Sequence, residues 1–343
     1  MRTLIIAAAL LAGSLSTDAQ AATAWVSSNH IQVVDLDTAR VVGRIPLQEF
    51  IHDMEFSPDG STVYVGSSQG FRVADATELR FTSKVAEGGT LAIAVNADGS
   101  TVATLTKASD ASCLAARKAG EPLPASRITL YSTLDMGVLA TWEVPGGTRD
   151  LAISGDASRL FLLDPPQGLI RVFDGAGAEL ETIDVAPGAR AENGHPQALY
   201  SAMEVSPDGQ RVMLPVTSET ASSLIDVDLA GQRSERVVVQ DLGHRRRIQG
   251  VSWDEDGSGV YVTAVNHVVK FSEAGLPLAW QKLPVNYVDV APVPGAAETV
   301  MVAPTFSSKR RSGGVSVIDA NGQVIRSVEL PDMSPFHVAV SPQ

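Results

Sequence analysis

One punctuation mark recurs along the whole sequence: an alternating strand, a Pro/Asp/Gly turn, and a second alternating strand. It reads "FSPDG" at Phe56, "VNADG" at Val95, "ISGDA" at Ile153, "VSPDG" at Val205, "WDEDG" at Trp253, "VAPVPG" at Val290 and "VSPQ" at Val340. The anchors are 37 to 58 residues apart, so the chain reads as an internal repeat. Most units continue into a third strand that ends in a turn, such as "IRVFDGAGAE" or "VSVIDANGQ", and then a fourth, such as "VLATWEVP" or "VIRSVELP". Period-two alternation bounded by Gly, Pro, Asp and Asn predicts antiparallel strands in tight hairpins, and no stretch shows sustained helical periodicity.

The last anchor supplies only a first strand, "FHVAVSPQ", whereas "ATAWVSSNHIQVVDLDTARVVGRIPL" near the N-terminus supplies a second, third and fourth strand without a first. Joined, the two match the unit that begins at "HDMEFSPDG". The expected fold is therefore all-β: a seven-bladed β-propeller whose closing blade takes one C-terminal and three N-terminal strands. Pairing the two ends removes an open sheet edge.

Residues 1–21 read as a cleaved secretory signal: Arg2, an apolar run from Leu4 to Leu15, and the small-x-small site Ala19-Gln20-Ala21. The apolar run is too short to span a bilayer, which takes roughly 20 residues. The expectation is a periplasmic or secreted protein without an integral membrane segment after cleavage, with residues 22–343 as a single propeller domain. Cleavage removes one basic and one acidic residue, so the net charge stays at −13. That acidity argues against nucleic acid or an anionic membrane as partner. Cys113 is the only cysteine, so packing and strand pairing, not disulfides, must hold the fold.

The strings "MEFSPDGSTVYVGSS", "IQVVDLDTARVVGRIPL" and "VSVIDANGQVIRSVELP" resemble the YVTN-type periplasmic seven-bladed β-propeller repeat along essentially the whole chain after residue 21. In length, export signal and loop pattern the chain is also similar, more weakly, to the propeller (beta) subunit of quinohemoprotein-type amine dehydrogenases. That second resemblance implies a non-catalytic partner of a quinone- and haem-bearing chain.

Propeller geometry sorts loops between two faces. First-to-second and third-to-fourth loops share one face and are short here. Second-to-third and blade-to-blade loops share the other, and they include Thr106 to Ser126, Ala186 to Leu199, Gly243 to Arg247 and Pro304 to Gly314. Function concentrates on loops held by a rigid scaffold, so the long-loop face is the expected working surface. Each innermost strand starts there, beside the central channel, with His52-Asp53, Arg149-Asp150, Gln249, Asn286-Tyr287 and His337 at the opening and Glu55, Glu204 and Asp289 deeper. Carboxylates, amides and imidazoles around one opening suit a small polar ligand or a cation, with a divalent metal in the channel as one form of it. They equally suit mutual pairing. The basic runs Arg245-Arg246-Arg247 and Lys309-Arg310-Arg311 also map to this face and would steer an acidic protein partner, or serve only as solvated loop charge.

Other motifs fail their context. "GSSQG" (Gly66 to Gly70) matches the hydrolase nucleophile pattern but joins two strands, not a strand and a helix. "DEDGSG" (Asp254 to Gly259) begins like a calcium loop, but Thr263 stands at the closing position. The six histidines lack zinc-site spacing, and no cofactor motif is evident. The reading is an exported binding or scaffold propeller without chemistry of its own, acting as a monomer or in a hetero-complex. Its alternatives are the dehydrogenase subunit, which would co-purify with a haem- or quinone-bearing chain, and a metal-dependent, lactonase-like hydrolase, which would carry bound metal.

Overall fold

The computed structural model describes residues 22–185, 199–200, 203–206, 209–217, 222–228, 233–237, 248–254, 256–264, 266–272, 276–283, 285–307, 312–331 and 333–342. Residues 1–21 and both basic runs, Arg245 to Arg247 and Lys309 to Arg311, lie outside them. The described strands form seven antiparallel sheets. The innermost strands are His337–Val340 in blade 1, Ile51–Phe56 in blade 2, Thr90–Val95 in blade 3 and Asp150–Ile153 in blade 4. Blade 5 begins with two short pieces, Leu199–Tyr200 and Glu204–Val205, on one neighbour, Arg211–Thr217. Ile248–Trp253 opens blade 6 and Asp289–Pro292 opens blade 7.

Blade 1 closes as the repeat register requires. Strand Thr23–Ser27 pairs with His337–Val340, Ala24 opposite Val340 and Ser27 opposite His337. Beyond the ladder, Ser341 donates its backbone N–H to Thr23 at 2.9 Å and Phe336 donates its own to Ser27 at 3.0 Å.

The turns between first and second strands show why their sequence recurs. Asp59 accepts from the amide of Ser61, Asp98 from Ser100, Asp156 from Ser158 and Asp256 from Ser258. The glycine after most of these aspartates sits at φ near +70° (Gly60, Gly99, Gly257), a region that suits glycine. Blade 4 spells the turn with Ala157, which still adopts φ 56°.

Blades hold one another through the second strands, which are buried on both faces. In Arg159–Asp164, Leu160 and Leu162 pack on blade 3 with Leu105, Ile128 and Leu130. Phe161 and Leu163 face blade 5, against Val212, Leu214 and Val227. Burying one such side chain is worth about 1.5–3 kcal/mol, so the blade-to-blade seam is the core.

Two features depart from the sequence reading. The Thr106 to Ser126 loop contains a helix, Asp110–Ala119, that periodicity did not reveal because only Ala116 is buried on it. Its signals are at the ends. Ser109 caps it, accepting from Ser112 N, and Gly120 ends it in the left-handed region at φ 69°. The second departure is a register. In six blades one amide bonds across the first-to-second turn, from Ser57, Asn96, Ser154, Ser206, Asp254 and Val293. Aligning the repeat on Val290 puts Ala291 at the last of these positions. The longer "VAPVPG" turn moves blade 7 by two residues, with a direct consequence for the channel.

Candidate functional site at the channel mouth

The seven innermost strands ring a channel that widens on the long-loop face into a cavity of about 430 Å³. At the level of the mouth stand Asp53 of blade 2, Asp150 of blade 4, Asp289 of blade 7 and His337 of blade 1, one equivalent position in each blade once the register is corrected. Asp289 therefore belongs to the mouth ring and not to the deeper level. Asn286 and Tyr287 leave the ring: Asn286 is exposed, while Tyr287 is buried and its hydroxyl meets Ser316 Oγ at 2.8 Å.

The three aspartates share one contact. Each reaches across to the next blade and accepts a backbone amide: Asp53 from Ile93 at 2.7 Å, Asp150 from Met203 at 2.6 Å and Asp289 from Val338 at 2.9 Å. Asp53 and Asp150 also accept from the residue that follows them, Met54 and Leu151. Deeper, Glu55 accepts from Val95 of blade 3 at 2.8 Å. These carboxylates staple neighbouring blades at the edge nearest the axis.

His337 completes the ring. Its Nδ1 lies 2.7 Å from Asp289 Oδ2, and its Nε2 lies 3.2 Å from Asp53 Oδ1 and 3.3 Å from the Met54 carbonyl. Both nitrogens thus face acceptors, the pattern of an imidazolium. Burial alone would lower its pKa, but the Asp289 and Asp53 carboxylates raise it well above the ordinary histidine value.

Acidic groups outnumber the cations, with Asp53, Glu55, Asp150, Glu204 and Asp289 lining the cavity beside His337 and Arg149. Burial, with the Asp53 charge next, pushes Asp150 up to about 7. Burial, then Asp150 and Asp289, pushes Glu204 up to about 8. Glu55 is raised well above its usual range by burial and by Asp53 and Glu204. Proton uptake is how a channel of crowded carboxylates relieves its own repulsion.

The rim is aromatic. Phe50 and Phe336 are each 44% exposed although large and apolar. Their ring centroids stand 5.4 Å apart, and Phe50 also meets the His52 ring edge-on at 5.1 Å. Both line the cavity with Asp53 and His337. The sequence signal for Phe50 and Phe336 is an apolar residue just ahead of an innermost strand at the mouth. Gln249 also lines the cavity, and its buried Oε1 has no hydrogen-bond partner among the described residues. Arg149 is exposed at the edge, on the side of blade 4. Among the described residues no three His, Cys, Asp or Glu side chains converge closely enough to hold one metal ion.

The "GSSQG" segment forms the hairpin between Thr62–Ser67 and Gly70–Asp75, with Ser67 opposite Gly70. Ser67 Oγ donates to Glu49, which also holds Arg72. Burial pushes the Glu49 carboxyl up, but those two partners bring it below the usual range. This is a structural clasp under the loop ahead of blade 2. Asp254 of "DEDGSG" likewise holds Lys270, at 2.7 Å.

No protein-family model matches the chain, and no curated protein does. The YVTN-type likeness therefore rests on the repeat strings alone. Solved structures do match, and they show the propeller fold. Hydrazine synthase of Kuenenia stuttgartiensis aligns over 86% of this chain and 90% of its own, with a TM-score of 0.66 and 15% identity. A functionally unknown protein from Desulfotomaculum acetoxidans DSM 771 aligns over 94% and 99%, at 0.65 and 15%. The dihydro-heme d1 dehydrogenase NirN in complex with DHE aligns over 92% of this chain and 74% of its own, at 0.59 and 16%.

Proposed function

We propose that the chain is an exported binding propeller, residues 22–343 forming one domain, that takes a small organic ammonium at its channel mouth on the long-loop face. The observation that carries this reading is the pairing of two unlike groups at one opening. Carboxylates crowded enough to raise one another's pKa sit below a rim of two exposed phenylalanines, and a cation bound there lets them ionise. An ammonium answers both: its charge offsets the carboxylates, and its polarised C–H or N–H groups lie against an aromatic face, worth about 0.5–1 kcal/mol at an exposed site. A bare metal ion would use the carboxylates and leave the rim without a role. The unpartnered Gln249 carbonyl oxygen adds an acceptor for an N–H. NirN, described in complex with DHE, is a propeller neighbour with a small molecule bound; at 16% identity that supports no particular ligand.

The test is titration calorimetry with benzylammonium and tetramethylammonium, using benzyl alcohol as the neutral match. Saturable binding of the cations, lost in Phe50→Ser with Phe336→Ser and weakened in Glu204→Gln, is expected. Equal binding of benzyl alcohol, or cation affinity untouched by both changes, would overturn the proposal.

A further inference from the structure

Beside the channel lies a second cavity, of about 580 Å³, roofed by the helix Asp110–Ala119 and floored by the joint between blades 3 and 4. Its walls come from separate parts of the chain: Leu91 at the start of blade 3, Leu123 and Pro124 after the helix, and Pro165 and Pro166 in blade 4. That volume falls within the usual range for small-molecule sites, about 300–1,000 Å³. The insert that makes it belongs to blade 3. The matching connection in blade 2 is the two-residue hairpin Ser68-Gln69.

Its chemistry is the reverse of the channel's. Lys107, Arg117 and Arg149 line it, against one acid, Asp110, and Lys107 Nζ already holds Asp110 at 2.5 Å. Arg117 and Arg149 form no ion pair among the described residues. Two guanidinium groups thus stand at one cavity in a protein of net charge −13. Leu114 projects from the helix at the same cavity and is 53% exposed. Nothing in the helix requires a leucine there, since only Ala116 is buried. His52 closes the wall toward the channel, and its buried Nε2 lacks a hydrogen-bond partner among the described residues.

We infer that this cavity is a binding site for a small amphipathic anion, a carboxylate or sulfonate with an apolar body. The charged end meets Arg117 and Arg149, the apolar body covers Leu91, Leu114 and Leu123, and His52 Nε2 is left for a polar group of the ligand. A guanidinium pair fits a planar carboxylate or a sulfonate better than an ammonium pair does, because it presents forked donors. The inference goes beyond the ammonium reading and does not depend on it.

The test titrates the full chain with 8-anilinonaphthalene-1-sulfonate, reading fluorescence and stoichiometry, then competes with decanoate, decylammonium and inorganic phosphate. One site per chain is expected, displaced by decanoate and not by the other two. Arg117→Ser with Arg149→Ser should weaken binding by about tenfold or more, since each removed contact is a charged hydrogen bond. Leu114→Ser should weaken it several-fold. Arg80→Ser, an exposed cation on the opposite face paired with Glu78, should leave it unchanged. Ala108→Trp, which fills the cavity, should abolish binding while the melting temperature stays near the parent's, and it serves also where the double arginine variant does not fold. Absence of a saturable site, displacement by decylammonium as readily as by decanoate, or full binding in Ala108→Trp would each overturn the inference. Benzylammonium titration of Leu114→Ser and Ala108→Trp, at residues that line only this cavity, reads the channel separately, so failure of one site is distinguishable from failure of the other.

Discussion

Asp289 of blade 7 holds His337 of blade 1 by its Nδ1, 2.7 Å from Oδ2, while the same oxygen accepts the amide of Val338 at 2.9 Å. One carboxylate thus fixes both the side chain and the backbone of the strand that closes the ring. The far side of the imidazole meets Asp53 of blade 2 at 3.2 Å, so one histidine ties blades 7, 1 and 2 together.

His337→Ala removes the cation between two carboxylates and should destabilise the protein by roughly 1–3 kcal/mol, the cost of stranding a partly buried charged acceptor. His337→Gln keeps one donor and should recover part of the loss. The raised histidine pKa contributes stability that is complete below about 6.5, the unfolded value, and is lost as pH rises through the folded one. Thermal melts from pH 6 to 9 should therefore show the gap between parent and His337→Gln narrowing as pH rises. A constant gap would mean that the histidine is neutral throughout.

Deleting residues 336–343 takes the innermost strand from blade 1 and exposes the edge of Thr23–Ser27. It also removes Val338, which packs with Val26, Val302 and Val315, and Ala339, which packs with Trp25. An exposed apolar edge invites strand addition by another chain. Aggregation, or a loss of well over ten degrees in melting temperature, is expected by light scattering and calorimetry. A truncated protein that stays monodisperse and melts within a few degrees of the parent would contradict the role given to the closing strand.

The contrast between what the sequence disclosed and what it hid has a physical cause. Turn residues are local, so "SPDG" and its variants gave blade number, strand order and the closing blade directly. Asp53, Asp150 and His337 were legible at the mouth for the same reason, since each stands at a fixed distance ahead of its turn. Asn286 and Tyr287 leave the mouth because the "VAPVPG" turn is two residues longer than the alignment on Val290 allows. The helix escaped because it buries only Ala116 and so has no apolar stripe for periodicity to find. Phe50 and the lateral cavity were out of reach: each depends on which loops meet, and a repeat aligned to itself says nothing of that.

Ala157 occupies the turn position that glycine holds elsewhere and is left-handed at φ 56°. An alanine in that region carries a steric penalty of about 1 kcal/mol that glycine lacks. Its amide keeps the turn bond to Ser154 at 2.8 Å, so Ala157→Gly gives up only the contact of one half-buried methyl with the core between blades 3 and 4. The variant should melt about 1–3 °C above the parent, the shift expected of about 1 kcal/mol in a large domain. An unchanged or lower melting temperature would show that the added freedom of the unfolded chain outweighs the relief.

Glu204 gives the sharpest test of the channel. Its carboxyl is raised from 4.5 to about 8 by burial and by Asp150 and Asp289, and Asp150 is itself raised from 3.8 to about 7. Folded pKa values above the unfolded ones mean that stability is full below the unfolded values and is lost as pH rises through about 7 and 8. Glu204→Gln removes the higher of these two groups and leaves Asp150, whose shift comes from burial and the Asp53 charge. The variant should match the parent at pH 4, melt several degrees higher at pH 9, and show a flatter profile between. Binding should run the other way. An ammonium ligand is held by ionised carboxylates, so the parent's affinity for tetramethylammonium, whose charge does not titrate, should rise between pH 6 and 9. In Glu204→Gln that rise should be smaller and centred lower, on Asp150. The measurement is paired calorimetry across pH, melting and titration on the same samples. A variant that gains stability at high pH yet binds the cation as the parent does would leave Glu204 as a strained channel residue and move the ammonium away from it.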